Sequence, residues 1–169
     1  MKTTHYYKKL LSSALLVSVC FAPTLYSPNT FAADTGNFKK VEDAVEYRQK
    51  AFSLIRHQFG QMRAMLKGKK AFDKDEFARR ADNLAALAKM PWEGFVAESD
   101  MKTLGEKATS ALPAIWQDEA KFKELAKKFK SNTAYLAKVA KSGDKKAIGA
   151  ALGKMGKEGC KACHNKFKE

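Results

Sequence analysis

Two thiols stand three positions apart near the end of the chain, at Cys160 and Cys163, and an imidazole follows at once at His164. Paired cysteines with an adjacent histidine can form two thioether bonds to a porphyrin edge and give its iron one axial nitrogen, the pattern of c-type haem attachment. On an α-helix, at ~100° per residue, the three side chains fall within an arc of roughly 100°, so one face can hold ring edge and iron together. The rest of the chain argues against the other uses of such a motif. A structural zinc site needs four ligands, and Cys20, His5 and His57 supply no second pair. A redox-active Cys-x-x-Cys belongs at a strand-to-helix junction, and no run of strands is legible here. The expectation is one covalently attached haem c per chain, bound through Cys160 and Cys163, with His164 as the metal ligand.

Helical periodicity supplies the elements that must position these groups. A first helix runs from about Lys39 to Met65, with Val41, Val45, Phe52, Ile55, Phe59 and Met62 at helical intervals. A second opens at Asp73, with Glu76 three residues later as in a capping box, and runs to Lys89 before Met90-Pro91 stops it. A long loop follows from Pro91 to Pro113. The third helix extends from about Ile115 through Phe122, Leu125, Phe129, Leu136 and Val139 to Ser142-Gly143, and Asp144 caps a fourth that carries Ile148, Leu152, Met155 and the cysteine motif. Four amphipathic helices predict an all-α fold, an antiparallel up-down-up-down four-helix bundle. In that topology the end of the fourth helix lies beside the start of the first and the loop between the second and third. The pocket is therefore expected between the early first helix and 91–113.

The side chain opposite His164 decides what the iron can do. Met62 lies ten residues beyond Phe52, roughly 15 Å along a helix axis, and Met65 farther still, so both read as packing residues. Met155 shares a helix with His164 and cannot reach the other side of a ring. His57 points about 140° away from Phe52 and reads as an ordinary histidine. Phe52 is left as the leading distal residue, which predicts five-coordinate iron in a dry aromatic pocket. Such a pocket offers no hydrogen bond to polarised dioxygen and favours NO and CO. It also offers no acid or base for peroxide cleavage, so no enzymatic turnover is expected. Met90 and Met101, on or beside the pocket loop, keep an alternative open: a low-spin, six-coordinate electron carrier.

With 169 residues, 45% hydrophobic and 11% aromatic, the chain suits one domain with its own core. Residues 1–32 read as a secretory signal: Lys2, Lys8 and Lys9 precede an apolar run from Leu10 to Ala22, and Thr30-Phe31-Ala32 forms a small-x-small cleavage site. The run is shorter than the ~20 residues of a membrane span, so no stable membrane anchor is expected. Cys20 leaves with this segment, because bulky Val19 does not suit a lipidation site. Cleavage near Ala32 removes three lysines and no acids, lowering the net charge from +14 to +11 and leaving residues 33–169 as the haem-binding domain. A bacterial periplasm is the expected compartment, since haem attachment needs thiols kept reduced after export. Lys121, Lys123, Glu124, Lys127, Lys128 and Lys130 mix signs at helical spacing, which marks a solvated helix face rather than a nucleic-acid surface. An acidic redox partner is compatible with this charge.

Several stretches together resemble the cytochrome c′ family, the high-spin class II c-type cytochromes. They are Glu46-Tyr47-Arg48-Gln49, the first-helix segment through Phe59-Gly60, Met90-Pro91-Trp92-Glu93-Gly94-Phe95, Ile115-Trp116, and Cys160-Lys161-Ala162-Cys163-His164. The likeness covers essentially all of the chain after the signal, and cytochromes c′ are themselves among the known up-down bundles. The resemblance implies haem contacts from Arg48 and Gln49, mainly to the propionates, with Ser110 and Trp92 touching the ring from the loop. It also implies thioether links at Cys160 and Cys163, His164 as sole protein ligand, and Phe52 as the distal shield where the family often has Leu. It further implies a periplasmic homodimer paired through its first two helices, binding NO and CO while largely rejecting O₂, with gas sequestration or electron transfer as its role. The family usually carries Arg four residues after the axial histidine; this chain carries Lys168, which cannot donate a planar fork.

Overall fold

The computed structural model describes residues 36–169, so the expected signal segment lies outside the described residues. Helix α1 spans Val41–Leu66, with Glu42 and Asp43 in its first turn and Arg63 in its last, as the helix dipole favours. Helix α2 spans Lys74–Leu87. Its N-cap is Asp73, whose carboxylate accepts the Glu76 backbone N–H at 2.9 Å, while the Glu76 side chain pairs with Lys70 and Arg80. Two short helices follow, α3 (Met101–Leu104) and α4 (Ala114–Gln117). Long α5 covers Glu119–Ala140, and α6 covers Lys145–Lys154 with Asp144 as its cap. Gly143 makes the turn between them at φ 75°, a left-handed conformation that favours glycine.

The last helix changes winding where the sequence predicts an unbroken α-helix. A π-helical segment, Met155–Lys161, leads into α7, Ala162–Phe167. Cys160 thus lies on wider turns than Cys163 and His164, and the single-face arc expected of a regular α-helix does not apply to it unchanged. Two further departures are local. The third predicted helix breaks at Asp118, whose side chain leaves the helix path to accept the Lys121 N–H and cap α5. The predicted loop 91–113 contains a 3₁₀ turn at Pro91–Gly94 as well as α3.

Helix α1 packs on α2, α2 on α5, α5 on α6 and the π segment, and α6 returns to α1, closing an antiparallel four-helix bundle. Met62, Phe77, Leu84, Leu136, Ile148 and Met155 are fully buried along its axis. Burying each such side chain stabilises the fold by roughly 1.5–3 kcal/mol. A second apolar cluster, Ala111, Ile115, Phe122, Leu125 and Phe167, closes the end of the bundle that carries the cysteine motif.

Candidate haem site

The site begins with α1. Arg48 is 3% exposed, and its guanidinium donates through Nη1 to Gly94 O (2.7 Å) and Ser99 Oγ (2.6 Å), and through Nη2 to Ser99 O (2.5 Å) and Thr109 Oγ1 (3.0 Å). One buried cation therefore gathers three separate points of the loop. Burial draws the Arg48 pKa down to about 10, opposed by the nearby charge of Asp100, so it stays charged at neutral pH. Gln49 donates to Ala108 O at 2.8 Å, one residue from Thr109.

The loop brings two aromatics inward. Trp92 donates its indole N–H to Ala88 O at 2.7 Å and stacks on Phe95, with ring centroids 6.3 Å apart. Phe52 meets both edge-on, at 6.0 Å and 6.3 Å, and Phe122 packs 4.8 Å from Phe95. The other end of the loop is held by the chain terminus. Leu112 N donates to Phe167 O (3.0 Å), Glu169 N donates to Ser110 O (3.1 Å), and Ala111 and Lys168 form an antiparallel bridge.

These walls enclose a cavity of about 490 Å³, within the usual range for a small-molecule site. Cys160, Cys163 and His164 line it from one side, and Phe52, Arg48, Gln49, Trp92 and Ser110 from the others. All eight residues expected from the sequence thus meet at one cavity. Met90 and Met101, the two candidate sixth ligands, do not line it, and neither does His57; Met90 is 47% exposed. Met62 is buried in the bundle core instead. Arg48 lines the cavity, but its four hydrogen bonds run to the loop.

Both thiols are free and half-buried. Burial pushes the Cys160 thiol up, and burial together with Cys160 pushes Cys163 up to about 11, so both are protonated at neutral pH. For His164, burial first and the charge of Lys168 second pull the pKa below its ordinary value, which keeps the imidazole neutral with a lone pair to donate.

The residues present fit a haem. The cavity wall is mainly apolar, its charged residues are Arg48, Arg56 and Lys168 with no carboxylate, and paired thiols stand at one side with an imidazole beside them. A flat, apolar, dianionic ring matches each of these features.

Comparison with known proteins agrees with this geometry. The family model described as Cytochrome C′ matches residues 43–168. The chain belongs to the cytochrome c′ family. It is 42% identical to cytochrome c′ of Rubrivivax gelatinosus over 132 residues, covering 78% of this chain and 98% of the relative. It is 41% identical to that of Halomonas halodenitrificans, covering 75% and 96% respectively. The solved cytochrome c prime of Shewanella frigidimarina superposes with a TM-score of 0.73 at 51% identity, covering 79% of this chain and 99% of that one. Membership makes covalently attached haem c the cofactor of this protein, and this cavity is the one whose lining fits it. When bound, that group would supply an iron able to take an axial ligand, and Cys160, Cys163 and His164 are the residues that would hold it.

Sequence reasoning missed part of the wall. Phe95, Phe122, Phe129, Phe59 and Phe167 also line the cavity. Phe122, Leu125 and Phe129 recur at helical spacing and read as bundle core. Only their place on the first half of α5, packed against the motif segment, makes them part of the site. Gly159 was equally silent. A Cβ there would stand 2.7 Å from Phe129 Cδ2, so its bare backbone is what lets the motif segment approach α5.

Proposed function

We propose that this protein holds a five-coordinate haem c, with His164 as its single protein ligand, in the periplasm, where it binds NO and CO or passes single electrons without turnover chemistry. The observation that carries this reading is the wall facing the motif. Phe52 stands there edge-on to the stacked rings of Trp92 and Phe95, and among the described residues the only methionine lining the cavity is Met155, which opens the π segment that leads into the helix of His164. An aromatic wall excludes water and gives no hydrogen bond to polarised dioxygen, so the less polar diatomics are favoured. A cytochrome c prime variant from Alcaligenes xylosoxidans, 34% identical to this chain, was solved as its nitric oxide complex, which supports the same ligand here.

In this reading Cys160 and Cys163 fix the ring edge, His164 holds the iron from one side, and Phe52 limits entry on the other. Arg48 acts by holding the loop that carries Trp92, Phe95 and Ser110. Propionate contact falls to Gln49, Ser110 and the remaining Nε of Arg48. Among the described residues no helix is long and apolar enough to cross a membrane. The ferric protein should give a high-spin absorption and paramagnetic resonance spectrum; a low-spin His/Met spectrum would replace this reading with the six-coordinate carrier. Sedimentation tests the homodimer.

A further inference from the structure

One stripe of α1 edges the cavity with polar groups. Gln49, Ser53 and Arg56 follow one another at the spacing of a helix face, all three are exposed, and all three line the cavity. At 1.5 Å per residue they run roughly 10 Å along the helix axis. The neighbouring stripe of Phe52, Ile55 and Phe59 lines it too and is apolar. The α1 wall therefore turns from hydrocarbon to hydrogen-bonding groups at its exposed side.

The lining carries three cationic side chains, and two are engaged. Both Nη groups of Arg48 are taken by Gly94, Ser99 and Thr109. Lys168 Nζ donates to Glu169 O. Among the described residues that line the cavity, Arg56 is the one cation with neither a hydrogen bond nor an ion pair. Its own helix offers it no acid: one turn away in either direction stand Phe52, Ser53, Phe59 and Gly60. Several lysines of α5 are equally unpaired, but they do not line the cavity.

We infer that Arg56, with Ser53 beside it, binds a propionate carboxylate of the haem, a reading that rests on the haem assignment above. A carboxylate cannot follow the ring's apolar body into an aromatic pocket, because an unpaired charge is costly to bury, so it must lie where the wall turns polar. No carboxylate of the chain lines the cavity to compete for Arg56. Gln49, Ser110 and the Nε of Arg48 offer hydrogen bonds to the same anionic edge. Arg56 adds a planar fork of N–H donors that matches a carboxylate bidentately. It thus supplies, farther along the same helix, the free charge that Arg48 spends on the loop. A cation placed there offsets the negative charge of the propionate and favours the ferrous over the ferric state.

The test uses holoproteins carrying Arg56→Gln, Arg56→Lys or Arg79→Gln. The last removes the same charge from an exposed position on α2 that does not line the cavity. Resonance Raman spectra report the propionate bending modes directly: Arg56→Gln should shift one of them, and Arg79→Gln should leave both at the wild-type frequency. Arg56→Gln should also lower the midpoint potential, raising the ferric-to-ferrous ratio at a fixed applied potential by about fivefold, or ~40 mV at 59 mV per tenfold. Arg56→Lys should keep that ratio within about twofold of wild type, because the charge is retained, yet still shift the mode, because the planar fork is lost. Unmoved bending modes in Arg56→Gln, or equal potential shifts in Arg56→Gln and Arg79→Gln, overturn the contact. A potential difference that appears only with added inorganic phosphate assigns Arg56 to free anions and also overturns it. Purified protein without covalent haem by its alkaline pyridine spectrum overturns the haem assignment itself, whereas a normal pyridine spectrum with unmoved modes overturns only the role of Arg56.

Discussion

Arg48 and Gly94, 46 residues apart, are locked together twice. The guanidinium donates to the Gly94 carbonyl at 2.7 Å, and the glycine backbone lies so near α1 that a Cβ would stand 2.9 Å from Arg48 Cβ and 2.6 Å from Ala44 O. The loop that walls the haem cavity is thus pressed against the first helix by close approach and fastened by a buried cation.

Gly94→Ala should destabilise the fold by roughly 1–3 kcal/mol, because a backbone oxygen and a buried side chain must both shift to admit a methyl group. Urea unfolding of the holoprotein measures this. Arg48→Met should cost roughly 3 kcal/mol, since it strands the buried acceptors of Gly94, Ser99 and Thr109.

Phe52→Ala removes the ring that meets Trp92 and Phe95 edge-on. CO association, followed by flash photolysis, should accelerate by about tenfold, equivalent to ~1.4 kcal/mol off the entry barrier. Unchanged kinetics would mean that Phe52 does not shield the iron.

Met90→Leu and Met101→Leu should leave the ferric and ferrous spectra unaltered, because neither methionine lines the cavity. A spectral change in either would identify a sixth ligand.

Gly159→Ala should lower the fraction of chains carrying covalent haem, since the new methyl group meets Phe129 Cδ2 at 2.7 Å and pushes Cys160 off its place beside the cavity. Gly149→Ala, in α6 with nothing within 4 Å of its added Cβ, should retain full attachment. The ratio of haem absorbance to protein measures both.

Glu76 is held below the ordinary carboxyl value of 4.5 by hydrogen bonds first from Lys70 and then from Arg80. A depressed carboxyl pKa contributes stability that is present above 4.5 and lost as pH falls through the lower folded value. Glu76→Gln should therefore flatten the acid limb of stability below that pH, as read by thermal unfolding across a pH series.

Much of the fold was legible because helical periodicity reports which face is buried. Val45, Ile55 and Met62, or Leu125, Phe129 and Leu136, announce their helices before any contact is known, and Asp73 and Asp144 mark helix starts with their side-chain caps. The break at Asp118 was not legible. An aspartate within a periodic stretch reads as a solvent-facing helical residue until its side chain is seen capping Lys121. The π segment was hidden for a similar reason: Gly156 and Gly159 are ordinary low-propensity residues on paper, and their close approach to Phe59 and Phe129 within the widened turns is visible only in three dimensions.

The sequence by itself determined the cofactor chemistry, because two thiols and an imidazole at Cys160, Cys163 and His164 are fixed by covalent spacing. It also determined the bundle, because local periodicity and short connections leave few ways to hide the apolar stripes. What only the tertiary structure decided is what surrounds the motif. Arg48 holds the loop with its four hydrogen bonds, Phe122 and Phe129 join the wall, and Met90 and Met101 stand outside the cavity. Those outcomes depend on contacts between residues distant in sequence, whose energies come from burial and hydrogen bonding in three dimensions and leave no periodic signal along the chain.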